Sequence, residues 1–158
     1  RRLSGLVTNE RSLALFLIIG VMVLGACRPI ASMTTDRFLP SNCGEAVLTR
    51  TAWAPMSCVV AEYAIAQCPL ELSFPPGITL EKVPDGLPLS SYVEAKADGF
   101  SLGNTILDGK YCINDDDFRS AYLATMRSEE KVLFHTSGMS TVVAYDRKIG
   151  RLYVVAGE

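Results

Sequence analysis

The chain changes its hydrophobic rhythm along its length. Residues 12–27 carry no charge and are apolar almost throughout, around Leu13-Ala14-Leu15-Phe16-Leu17-Ile18-Ile19. Residues 28–88 hold no long apolar period, and all eight prolines fall between Pro29 and Pro88. Residues 89–158 contain no proline, and regular apolar periods return. The pattern gives an apolar leader, a loop-rich N-terminal half and a C-terminal half able to build regular elements.

The C-terminal half reads element by element. Tyr92-Val93-Glu94-Ala95-Lys96-Ala97 alternates with period two, which predicts a half-buried strand. Asp108-Gly109 sits between the β-prone runs 104–107 and 110–113. It predicts a two-residue hairpin turn, because both turn positions need positive φ. Asn114 or Asp115 offers an N-cap for a helix from about Asp116 to Glu130, with Phe118, Ala121, Tyr122 and Met126 on one face. Residues 132–136 follow as a strand, and 141–145 with 151–156 as a closing hairpin. In the first half, residues 46–53 are mixed. Residues 55–68 are long enough for a helix that starts at Pro55 and stops before Pro69. The β-branched Val59-Val60 pair keeps strand open there. Residues 69–88, with five prolines, admit short edge strands at most, such as 80–83. The sum is an α+β fold: a small antiparallel sheet with one main C-terminal helix, behind a loop-rich, proline-containing N-terminal half.

Charge changes the reading of the leader. Arg1, Arg2 and Arg11 precede the apolar run, Arg28 follows it, and the run ends in Leu24-Gly25-Ala26-Cys27. A membrane-spanning helix needs about 20 apolar residues, whereas a cleaved signal has an apolar core of roughly 7–15 followed by small residues. Leu-small-small-Cys directly after such a core resembles the lipobox signal peptide of bacterial lipoproteins. The resemblance covers the first 27 residues. It implies cleavage before Cys27, covalent lipid on Cys27 and export to an oxidising compartment. The organisation is then signal peptide 1–26, lipidated cysteine and tether 27–42, and a single α+β periplasmic domain 43–158. Arg28 stands where enteric lipoproteins retained at the inner membrane have aspartate, so the resemblance places the chain at the outer membrane, facing the periplasm. A retained N-terminal transmembrane helix, extended by tilt or by snorkelling of Arg11 and Arg28, is the alternative.

Composition narrows the partners. Setting aside Arg1, Arg2, Arg11 and Glu10 leaves 12 basic and 16 acidic groups, a net charge of −4 for the body. No run of four basic residues exists, so the clustered positive face that nucleic acid requires is missing from the sequence. Cys43, Cys58, Cys68 and Cys112 are an even number in an exported chain, which predicts two disulfides with Cys112 tied to one of the three upstream. Their spacings lack CxxC-type pairs and His135 is the single histidine, so neither a metal site nor a thioredoxin-like site is expected. No cofactor is expected beyond the lipid on Cys27.

The candidate chemistry is sparse. Asp115-Asp116-Asp117 lacks the alternating ligands, central glycine and terminal glutamate of a calcium loop, and reads as a helix cap with acids at the positive helix end. His135 falls opposite Phe134 in a strand and has no Gly-x-Ser-x-Gly elbow to serve. Glu62, Glu71, Glu81 and Glu94 are each available as half of a glycosidase pair. Trp53 reads as a core anchor or rim contact. Phe74-Pro75-Pro76 reads either as a partner-contact loop or as a lid over the sheet. With no converging nucleophile and base, the body is expected to be a non-enzymatic protein-binding, assembly or accessory subunit. Trp53, Phe74, Pro75 and Pro76 are its candidate contacts, another envelope protein is its partner, and the membrane is reached through the lipid. A small exported hydrolase, or an inhibitor of one, is the alternative. The strand at 151–156 is a candidate for strand addition if it lies at a sheet edge.

Overall fold

A computed structural model describes residues 35–54, 58–85, 96–97, 100–138 and 140–157. The expected leader, Cys27, most of the tether and residues 92–95 lie outside them. A six-stranded antiparallel sheet and two helices form the body. The strands are β1 (Ala46–Ala54), β2 (Cys58–Ile65), β3 (Glu81–Lys82), β6 (Lys131–His135), β7 (Thr141–Asp146) and β8 (Arg151–Gly157), in the order β1-β2-β8-β7-β6-β3. The helices are α1 (Leu102–Cys112) and α2 (Asp116–Arg127), and β4 (Lys96–Ala97) with β5 (Phe100–Ser101) makes a separate two-residue ladder. The α+β class and the strands at 131–135, 141–146 and 151–157 are as the sequence predicts.

Three placements depart from expectation. The segment expected to allow a helix at 55–68 is strand over Cys58–Ile65, the alternative that Val59-Val60 kept open. Its near-continuous burial explains the ambiguity: a strand covered on both faces loses the period-two signal. The strand at 151–156 is no edge, because β8 pairs with β2 on one side and β7 on the other. Among the described residues, the edges of the sheet are β1 and the two-residue β3.

The third departure is the Asp108-Gly109 hairpin, which is the interior of α1. Leu102, Thr105, Ile106, Gly109 and Cys112 are buried, a helical spacing that puts one face on the sheet. Gly109 is there for close approach rather than for a turn. A Cβ at this position would lie 2.6 Å from the Tyr122 hydroxyl oxygen and 3.0 Å from a Val155 methyl. Tyr122 cannot easily retreat, since it is fully buried and donates to the Ile106 carbonyl at 2.8 Å. Gly109→Ala gains about 1 kcal/mol of helix propensity, but overpacking costs about 1–3 kcal/mol. The expected outcome is a net loss of about 1 kcal/mol in urea denaturation, opposite in sign to an exposed helical glycine.

Both sheet faces are covered, by different means. On one, Val60, Val142, Tyr153 and Val155 meet Ile106, Phe118, Tyr122 and Met126 of the helices. Asp115 caps α2 by accepting from the Phe118 amide at 2.6 Å, as the acidic run predicts. On the other, Tyr63, Phe134, Val143, Leu152 and Val154 lie under Phe38 and the proline-rich segment, with Leu72, Phe74, Ile78 and Leu80 packed down. Asn42 holds that segment, donating to the Glu71 carbonyl at 2.8 Å and accepting from the Ser73 amide at 2.9 Å.

Two disulfides staple the layers. Cys43–Cys68 joins the flanks of the β1–β2 hairpin, with Cα atoms 4.4 Å apart. Cys58–Cys112 joins the first residue of β2 to the last of α1, at 5.9 Å. All four cysteines predicted to pair do so, and Cys112 finds an upstream partner.

Candidate functional site

Glu62 interrupts the apolar run of β2, and a carboxylate inside a sheet must be paired. A β-bulge between Leu48 and Arg50 in β1 supplies the means. The extra residue lets Thr49 and Arg50 both reach Glu62. Thr49 Oγ1 donates to Oε1 at 2.6 Å, and Arg50 Nε donates to Oε2 at 3.1 Å with a second, shorter bond from its terminal nitrogen. From β8, Arg151 donates to Oε1 at 3.2 Å and the Tyr153 hydroxyl to Oε2 at 2.7 Å. The Arg50 guanidinium also lies 4.7 Å from the Phe118 ring centre, linking the cluster to α2.

The electrostatics follow from this geometry. Glu62 is 1 % exposed. Burial alone raises a carboxyl pKa, but the hydrogen bonds from Arg50, Thr49 and Tyr153 outweigh it and hold Glu62 below the usual carboxylate range. The Tyr153 hydroxyl moves the other way, pushed up by burial and by its bond to Glu62. A carboxylate with both oxygens engaged and its basicity lowered is a poor general acid or base. The cluster stitches β1, β2 and β8 together, and leaves Arg50 and Arg151 half-exposed at the surface.

The other acidic candidates do not join it. Glu81 lies on β3, four strand positions from β2, or about 19 Å at ordinary strand spacing. Glu71 is exposed in the proline-rich segment, and Glu94 lies outside the described residues. His135 is half-buried on β6, opposite Glu81, with Nδ1 donating to the Thr136 carbonyl at 2.8 Å. Among the described residues, no three His, Cys, Asp or Glu side chains form a metal-binding group.

The contact candidates fall into two groups. Phe74 packs edge-on against Phe134, ring centres 5.0 Å apart, with Pro75 half-buried beside it. Here the lid reading fits the geometry, and a charge at Phe74 would disturb the core. Pro76 is exposed. Trp53 is 51 % exposed and Val47 54 %, both on β1. Below Val47 a shallow groove of about 460 Å³ runs over Ala64 to Ile149 and Arg151. Sequence reasoning missed Val47, Arg50, Arg151 and Tyr153. The one available signal was Glu62, an acid inside an apolar run.

A scan against protein-family models, a search of the curated proteins and a search of the solved structures each found no match.

Proposed function

We propose that this chain is an envelope lipoprotein held at a membrane by lipid on Cys27, a tethered binding module whose body engages another envelope protein. The observation that carries the binding reading is β1: nine residues long, paired among the described residues with β2 on one side alone, and presenting Val47 and Trp53 to solvent. A long edge strand offers a row of backbone donors and acceptors to an incoming extended segment. The opposite edge, β3, has only two residues. The Thr49 bulge and Arg50 limit indiscriminate pairing. A lipid tether raises the domain's effective concentration for partners fixed at the same membrane, and by the lipobox resemblance that membrane is the outer one, on its periplasmic face.

Two measurements test this reading. Mass spectrometry of the membrane fraction is expected to find a lipid-modified N-terminal peptide starting at Cys27. An unmodified peptide crossing Ala26–Cys27 would instead point to a retained helix. A photo-crosslinking side chain at position 45, exposed beside Val47 in the same groove, is expected to give one defined adduct, lost on Val47→Lys with folded protein unchanged. A protein that runs alone after gentle solubilisation, or that turns over an envelope substrate, overturns the binding reading.

A further inference from the structure

Among the described residues, the layer packed on the proline-rich face stops short of one end of the sheet. Trp53, Val59, Ala156 and Thr141 form one cross-strand row. Three of them, Trp53, Val59 and Ala156, are partly or largely exposed. Trp53, Val59 and Ala156 take no part in the core beneath the proline-rich segment, which begins one row further in, at Ala61, Val154 and Val143. The row contains no charge. In sequence, the whole stretch from Thr51 to Ala61 contains none either, although Arg50 and Glu62 flank it.

The chain enters the body on this same face. Tyr63 points into the core there and its hydroxyl donates to Asp36 at 2.6 Å, so the Thr35 hydroxyl, also 2.6 Å away, donates to Tyr63. Thr35 is fully buried. Seven residues lie between it and Cys27, eight residue steps with a reach of at most about 28 Å. Along β2, Tyr63 and Val59 are about 13 Å apart. By chain length alone, a bilayer holding a lipid on Cys27 can meet the exposed Trp53 end of this row. Tryptophan is favoured at the boundary between headgroups and acyl chains, where its ring is apolar and its N–H stays wet.

We propose that Trp53, with Val59 and Ala156 beside it, docks on the lipid surface and sets the orientation of the domain on the membrane. The inference rests on the membrane-anchored reading for the approach of this face. It leaves the backbone edge of β1 open for a partner strand.

Trp53 is the single tryptophan of the chain, so its emission reports this contact directly. The full protein is purified from membranes and reconstituted in phosphatidylethanolamine–phosphatidylglycerol vesicles with acyl chains brominated near the headgroup. Interfacial side chains bury roughly 5–10 Å into that shell. The expected result is a blue-shifted emission, most of it lost to brominated lipid and shielded from aqueous iodide. Val59→Lys is expected to reverse both effects with unchanged circular dichroism and unchanged Cys27 lipidation. Emission that stays red and iodide-accessible in vesicles, with Cys27 lipidated, overturns the docking while the anchor stands. Bromine quenching with Cys27 unmodified supports the docking and removes the lipid anchor instead. Shielding that appears only with a co-purified protein, and not in pure lipid, overturns the proposal in favour of a protein interface.

Discussion

Replacing Cys58 and Cys112 together with alanine is expected to lower stability by about 4 kcal/mol, the chain-entropy value for a loop of this size. The bond spans 54 residues, the longer of the two closures. It joins β2 in the sheet to α1 packed above it. Both cysteines are buried, at 3 % and 2 % exposure, so alanine rather than serine keeps stranded hydroxyls out of the core. The Cys43–Cys68 pair spans 25 residues, and the same relation gives about 3.5 kcal/mol. Its effect should fall below that, because the hairpin it closes is already paired along β1 and β2, with a further bond from the Gly44 amide to the Ala66 carbonyl at 3.2 Å. Against a typical total of about 5–15 kcal/mol, losing the long bridge brings the domain close to unfolding. Urea midpoints for the two double variants should therefore rank the Cys58–Cys112 pair as the costlier loss. Equal midpoints, or a wild-type midpoint without that bridge, would contradict the assignment.

What the sequence revealed and concealed follows from the range of each signal. The helix at Asp116–Arg127 was legible because its cap, its acids and its buried stripe are all local. So were β6, β7 and β8, with Asp146-Arg147-Lys148-Ile149-Gly150 as the turn between the last two. Gly109 misled because Asp-Gly is a strong local turn signal, while the reason for glycine lies on Tyr122 and Val155, far along the chain. The central place of β8 was hidden too, since it depends on pairing with β2 some ninety residues earlier. The Glu62 cluster is the extreme case. Arg50 is twelve residues from Glu62 and Tyr153 is ninety-one. Only the strand register brings them together, and a bulge at Thr49 that no local pattern marks.

Glu62→Ala is expected to cost about 3 kcal/mol, at the low end for breaking a buried ion pair. The low end applies because Arg50 and Arg151 are more than one-third exposed and regain water once the carboxylate is gone. Glu62→Gln keeps the shape and part of the bonding, so its loss should be smaller. The pH dependence separates charge from packing. The folded state holds the Glu62 carboxyl below its ordinary value of 4.5, so the unfolded chain takes up the proton first as pH falls. Stability from this group is therefore fully present above about pH 4.5 and is lost as pH drops through the depressed folded value. The stability gap between wild type and Glu62→Gln should stay constant from neutral pH down to that point and narrow below it. A gap that stays unchanged into strong acid would mean that Glu62 is held for its shape and hydrogen bonds, with its charge contributing nothing to the joining of β1, β2 and β8.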